Sequence, residues 1–233
     1  MTASSTPQRI QPFYPSSDGE PVAETFDHLY ALLITLEVLR QYLTGQQATV
    51  IGNQFLYYAQ GFPRLRTAPD LMVIFNVEPG GRDNYKIWEE GEIPRVIFEI
   101  TSPGTKHQDE GFKKTLYEQL GVEEYWQFDP KGEWIPAKLR GYRLPGESYI
   151  PIADHQSHAL QLRLAVEGKL IGFYRLDTGE KLLIPDELAT ALQQETEARR
   201  QAEAQVEQER QRAEELERQL NQYRQQFGDL PEA

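Results

Sequence analysis

Residues 95–130 read RVIFEITSPGTKHQDEGFKKTLYEQLGVEEYWQFDP. The apolar run at 96–100 has the composition of a buried strand, yet Glu99 stands near its end. A Pro-Gly turn follows at Pro103-Gly104, then a helical pattern over about 108–120 carrying Lys113 and Lys114, then a second aromatic strand over 124–128. Strand, helix, strand is the order of an α/β sheet with a helical crossover between its central strands. A carboxylate inside such a strand needs a cationic or hydrogen-bonding partner.

Upstream, Phe26, Leu29, Leu32, Leu33, Leu36, Leu39 and Leu43 recur at three- and four-residue steps, which predicts a first helix from Glu24 to about Leu43 with a stop at Thr44-Gly45. ATVIGNQFLYYA and APDLMVIFNV supply two strand-like runs before the quoted stretch. Downstream of Asp129-Pro130, β-like pieces at 139–144, 148–152, 160–166 and 169–175 alternate with the turns LPGES, VEGK and DTGE, predicting hairpins that extend or cover the sheet. The fold class expected is α/β, a sheet with a helical crossover between its central strands. Residues 1–22, rich in Ser, Pro, Thr and Gln, read as an irregular arm, residues 23–184 as the domain and residues 185–233 as a C-terminal helix.

That last segment differs in kind. Ala202, Val206, Glu209, Ala213, Leu216, Leu220, Tyr223 and Phe227 alternate four- and three-residue steps, the seam of a coiled coil with one polar interruption. A homodimer or higher homo-oligomer is the expectation, and a solvated single helix is the competing reading.

Composition excludes several classes. The absence of cysteine removes disulfides, thiolate metal sites and a cysteine nucleophile, so any metal must be held by oxygen or imidazole. The stretch LYALLITLEVL is short and interrupted by Glu37, and the first residues lack a basic start followed by an apolar block, so a soluble cytoplasmic protein with no membrane partner is expected. The formal charge of −12 argues against a nonspecific nucleic-acid coat. Half of that charge lies in residues 186–233, which hold twelve acids and six bases, so the domain is only mildly acidic.

The candidate chemistry starts from Glu99 and Asp70. Asp70 follows Pro69 at the mouth of LMVIF, and adjacent strands would bring the two carboxylates together at one sheet edge. Converging carboxylates repel, and a hard divalent cation is a natural neutraliser. Taken singly, Pro69-Asp70 could merely open a strand and Glu99 could sit at an edge or in a buried ion pair. On the helix, Phe112, Leu116 and Leu120 define an apolar face; Lys113 falls about 60° from its centre and Lys114 about 160°, so Lys113 can reach the sheet while Lys114 should meet water. Asp109 and Lys113 could instead form a surface i, i+4 pair.

Pro69-Asp70, Glu99-Ile100-Thr101-Ser102, Asp109-x3-Lys113-x3-Tyr117 and Gly121-Val122-x-Glu124-Tyr125-Trp126 together resemble the Uma family of endonucleases, within the restriction-endonuclease-like PD-(D/E)XK superfamily, over residues 20–175. The resemblance implies an α/β fold with a mixed sheet flanked by helices, and a Mg²⁺- or Mn²⁺-dependent endonuclease acting on DNA. It implies metal binding by Asp70 and Glu99 with the carbonyl of Ile100 as a third ligand, and a further acid from the first helix: Glu24 as the best match, with Asp27 or His28 behind it. The superfamily pattern places lysine two residues after the glutamate, where this chain has Thr101; the resemblance implies that Lys113 takes that role from the following helix. A nuclease fold without activity, working as a scaffold through its C-terminal helix, is the alternative.

Weaker candidates are His28, His107, His155 and His158, which are scattered, and Tyr125, Trp126 and Phe128, which read as core aromatics before they read as base-stacking groups. Arg64, Arg66, Arg82 and Lys86 could touch a DNA backbone.

Overall fold

The strand β6 (Val96–Ile100) is buried at every residue and lies in the middle of the sheet, which is why its sequence is an unbroken apolar run apart from Glu99. The computed structural model describes residues 12–19, 24–101 and 109–228; most of the expected N-terminal arm, the turn at Ser102–Gly104 and the start of the second helix at Gln108 lie outside the described residues.

In chain order the elements are α1 (Phe26–Tyr42), β1 (Ala48–Gly52), β2 (Leu56–Tyr57), β3 (Arg66–Thr67), β4 (Leu71–Phe75), β5 (Tyr85–Lys86), α2 (Ile87–Glu90), β6, a π-helical turn (Asp109–Lys113), α3 (Lys114–Leu120), β7 (Glu124–Phe128), β8 (Leu139–Arg143), β9 (Ile150–Ile152), β10 (Gln156–Ser157), β11 (Leu162–Glu167), β12 (Leu170–Arg175) and α4 (Pro185–Phe227). They fall into two compact units, one ending at Ile184 and the other beginning at Pro185. No helix among the described residues is long and apolar enough to cross a membrane.

The main sheet has six strands in the order β1-β4-β6-β7-β8-β9. All neighbours are antiparallel except β6 and β7, whose register pairs Glu99 with Gln127. That parallel pair is joined through the π-turn and α3, as the strand–helix–strand reading expects. Two three-stranded sheets, β3-β2-β5 and β10-β11-β12, accompany it.

The pleat sorts side chains onto two faces. Val96, Phe98 and Ile100 join Leu71, Val73, Trp126 and Phe128 in a core shared with Val38 and Leu39 of α1 and with Leu164, Ile171 and Phe173 of β11 and β12. Ile97 joins Met72, Ile74 and Tyr125 in a second core shared with Leu116 and Tyr117 of α3. Glu99 has the parity of Ile97. It therefore faces α3.

Two helix faces depart from the spacing argument. In α1 the buried residues are His28, Ala31, Leu32, Ile34, Thr35, Val38 and Leu39, while Phe26, Leu29 and Leu33 are exposed. This helix is apolar nearly all round, so periodicity alone does not select its inner face. In the second helix Phe112, expected on the apolar face, is 63 % exposed, while Lys113, expected to reach the sheet from about 60° away, is only 8 % exposed. The π-turn widens the helix by one residue per turn and rotates Lys113 inward ahead of α3. Lys114 does not simply meet water either: its ammonium lies 3.8 Å from the centroid of the Tyr142 ring.

Close backbone approach is required at Gly141. A Cβ there would lie 2.5 Å from the ring of Trp126, its partner across β7 and β8, so the indole packs over bare backbone.

Candidate active site

The site forms where β6 ends and β4 begins. Extending the β4–β6 register by one residue sets Asp70 opposite Glu99. Like charges directly opposed on a sheet destabilise it, so both carboxylates need compensation. Asp70, about 9 % exposed, accepts a hydrogen bond from the Ile100 amide through Oδ2 at 2.6 Å. This bond straps the entry of β4 to the exit of β6. Glu99 is fully buried and is held on both oxygens, one from the end of the π-turn and the other from α3. Lys113 donates from Nζ to Oε2 at 2.8 Å and the Tyr117 hydroxyl donates to Oε1 at 2.7 Å.

Lys113 and Tyr117 are four residues apart and so share one helical face, and Tyr117 anchors that face by packing edge-on against Tyr125 with ring centroids 5.3 Å apart. The Tyr117 hydroxyl also lies 3.5 Å from Thr67 Oγ1 on β3. Burial first, and then the adjacent Glu99 carboxylate, push the Tyr117 phenol well above its ordinary value, which keeps it a protonated donor. The helix ends at Gly121 with φ of 84°, which a glycine adopts without strain, and the Val122 amide closes the end by donating to the Tyr117 carbonyl at 3.0 Å.

From α1, His28 brings Nε2 to 2.7 Å from Glu24 Oε2 and 3.7 Å from Asp70 Oδ2. Thr25 caps the helix by accepting from the His28 amide, which fixes the first turn. Glu24 thus reaches the cluster through His28. Asp27 pairs with Lys169 at 2.8 Å.

Beside these groups lies a hollow of about 20 Å³ lined by Thr25, Asp27, His28, Thr101, Asp129 and Trp134, the size of a single water. Thr101 Oγ1 is buried with no hydrogen-bond partner among the described residues. Asp129, at the end of β7, accepts from the amides of Lys131, Gly132, Trp134 and Ile135 at 3.1, 2.9, 2.6 and 3.0 Å, which shapes the loop against this hollow.

Asp70, Glu99, Ile100 and Lys113 come together, and the partner of Lys113 is Glu99 across the core; the side chain of Asp109 lies outside the described residues. Tyr117, named in the motif but given no role, is drawn in as the second donor to Glu99. Gln127 is a further addition, fully buried beside Glu99 on β7, donating to Tyr125 Oη at 3.0 Å and accepting from Arg140 Nε at 2.6 Å. Its signal in the sequence is the same as that of Glu99, a polar residue inside an aromatic strand.

Other candidates stand apart. His158 is exposed and gives its amide to Glu124, His155 sits at φ of 52° in the loop before β10, and Tyr125, Trp126 and Phe128 are fully buried core. Arg82 is clamped by Glu90 at 2.7 Å and Lys86 by Glu89 at 3.1 Å, while Arg66 covers the Phe55 ring at 4.1 Å. Arg64 is exposed.

Among the described residues no group of three His, Cys, Asp or Glu side chains is placed to hold a metal. The donors at the sheet edge are two carboxylates on adjacent strands and the backbone of Ile100. This is an all-oxygen set of the kind Mg²⁺ and Mn²⁺ accept, one or two carboxylates with waters completing the shell. A carboxylate oxygen that accepts one hydrogen bond keeps a second lone pair, so the bonds to Ile100, Lys113 and Tyr117 are compatible with metal binding.

Residues 10–179 match the family model Uma2, described as "Putative restriction endonuclease". The chain belongs to the Uma2 family. A solved structure similar to it is that of "a putative nuclease belonging to DUF820 from Anabaena variabilis ATCC 29413", with 14% sequence identity, a TM-score of 0.45, and coverage of 72% of this chain and 86% of that one. No curated protein matches the chain. The Uma2 match spans the elements from α1 to β12 that build the site, and leaves α4 outside it.

Proposed function

We propose that this Uma2 protein is a metal-dependent endonuclease that hydrolyses phosphodiester bonds in DNA. The observation that carries the reading is the bond from Lys113 Nζ to Glu99 Oε2, since it puts a cation beside the strand carboxylate although the residue two positions after Glu99 is Thr101. Family membership supports the nucleolytic class.

Asp70, Glu99 and the Ile100 carbonyl would hold Mg²⁺ or Mn²⁺. Such an ion supplies Lewis acidity toward a phosphoryl oxygen and lowers the pKa of bound water. The Ile100 amide fixes the Asp70 carboxylate, and Tyr117 fixes that of Glu99, so neither has to reorganise when substrate arrives. Lys113 offsets the charge of the carboxylate pair in the free protein and donates to the phosphate oxygen on which charge develops. His28, between Glu24 and Asp70, positions Asp70 and links Glu24 to the centre.

The closed Glu99–Lys113 pair also favours a second reading, a nuclease fold retained as a scaffold. Cleavage of supercoiled plasmid and of short single- and double-stranded DNA with Mg²⁺ or Mn²⁺ separates the two, with Asp70→Asn, Glu99→Gln and Lys113→Ala beside the wild type. Metal-dependent cutting by the wild type that is lost in all three variants is the expected result. Cutting that survives Lys113→Ala would remove the lysine from the mechanism. A folded wild type that cuts no substrate and binds no metal by calorimetry would establish the scaffold instead.

A further inference from the structure

The helix α4 runs for 43 residues, about 65 Å, and every described side chain from Leu188 to Gln226 is exposed. A helix in water draws most of its stability from packing an apolar face, and this one leaves such a face open to solvent: Leu188, Leu192, Val206, Leu216, Leu220 and Tyr223 are each 44–67 % exposed. These residues extend the heptad frame to the start of the helix. Leu192, Arg199, Val206, Ala213 and Leu220 occupy the a positions, and Leu188, Glu195, Ala202, Glu209, Leu216 and Tyr223 the d positions.

The charges in that frame choose an orientation. In a parallel, in-register pair each layer meets its own copy, so Glu195, Arg199 and Glu209 would each oppose an identical charge in the seam. In an antiparallel pair a meets d. With Leu192 against the partner's Tyr223, Arg199 meets the partner's Leu216, Val206 the partner's Glu209, Ala213 the partner's Ala202, and Leu220 the partner's Glu195. No seam layer then holds two like charges.

The flanking e positions alternate in sign along the helix as Glu203, Arg210, Glu217 and Arg224. The same alignment puts Glu203 against the partner's Arg210, twice by symmetry. A slip of one heptad either way opposes Glu203 to the partner's Glu203, or Arg210 to the partner's Arg210. We propose that α4 pairs with α4 of a second copy of this chain as an antiparallel coiled coil in this register. The self-complementary flanking charges name a second copy as the occupant, and the alternation of sign sets the alignment.

The cysteine-free chain allows a direct test. Full-length Leu192→Cys and Tyr223→Cys proteins, one carrying a mass tag, are mixed, equilibrated and oxidised, and their disulfides are resolved by size. The expected result is a crosslink between the two variants at least tenfold more abundant than the crosslink of either variant to itself, with the wild type sedimenting as a dimer. Self-crosslinking of Leu192→Cys in preference to the mixed species would make the pair parallel and overturn the proposal. A wild type that sediments as a monomer at tens of micromolar, with no disulfide from any mixture, would overturn it as well. Arg210→Glu sets two carboxylates against each other and should weaken the dimer at low salt, with the deficit shrinking in 1 M NaCl; an unchanged dissociation constant would refute the register.

Discussion

Removing the Lys113 charge isolates the energetics of the site. Glu99 is fully buried and the Lys113 side chain is 10 % exposed, with Nζ and Oε2 2.8 Å apart. Lys113→Met keeps most of the apolar stem and leaves a buried carboxylate with the Tyr117 donor as its remaining support from α3. Breaking a buried pair from one side costs about 3–5 kcal/mol. For a chain of this size each kcal/mol lowers Tm by about 2–4 °C, so the fall should be roughly 6–20 °C. The double variant Glu99→Leu/Lys113→Met removes both charges and relieves the opposition to Asp70. It should recover most of the loss, because an ion pair replaced by apolar groups of similar volume is commonly neutral or stabilising. Differential scanning calorimetry of the two variants and the wild type at pH 7 reads both steps. A single variant within about 2 °C of the wild type, or a double variant less stable than the single one, would refute the argument that the lysine holds a buried charge in place.

Three further outcomes follow from the geometry. Tyr117→Phe deletes a hydrogen bond to a charged acceptor and should cost about 1.5–3 kcal/mol by urea unfolding at pH 7. Because burial and Glu99 raise the Tyr117 pKa in the fold, the contribution of the phenol is whole below its ordinary value near 10 and is lost as pH climbs past that value toward the folded one; the variant should therefore show a flatter decline of stability above pH 10 than the wild type. Gly141→Ala drives a methyl into the Trp126 ring and should destabilise by about 1–3 kcal/mol, with a change in near-ultraviolet circular dichroism as the indole shifts. Asp129→Ala strips the acceptor from four amides, at about 1–3 kcal/mol for each donor left buried, and hydrogen exchange of Lys131, Gly132, Trp134 and Ile135 should accelerate together.

The sequence by itself determined the strand–helix–strand core. Runs of apolar residues such as VIFEI and EYWQF read as buried strands and the helical stretch between them as a crossover between central strands, and the structure pairs β6 and β7 in parallel. The oddity of Glu99 was legible for the same reason, since a carboxylate in such a run must be compensated. The partner was half legible: angular reasoning pointed Lys113 toward the sheet, yet it placed Phe112 inside and left Tyr117 without a role. Only the tertiary structure decided these, because a π-turn changes the phase of the helix and leaves no mark in a 3.6-residue count. The link from Glu24 through His28 to Asp70 was hidden as well, for it depends on how α1 rotates on the sheet, and a helix apolar on nearly every side does not encode that rotation. Periodicity reports which residues can share a face. Packing decides which face is turned inward, and at this sheet edge that choice brings a lysine, a tyrosine and two carboxylates into one cluster.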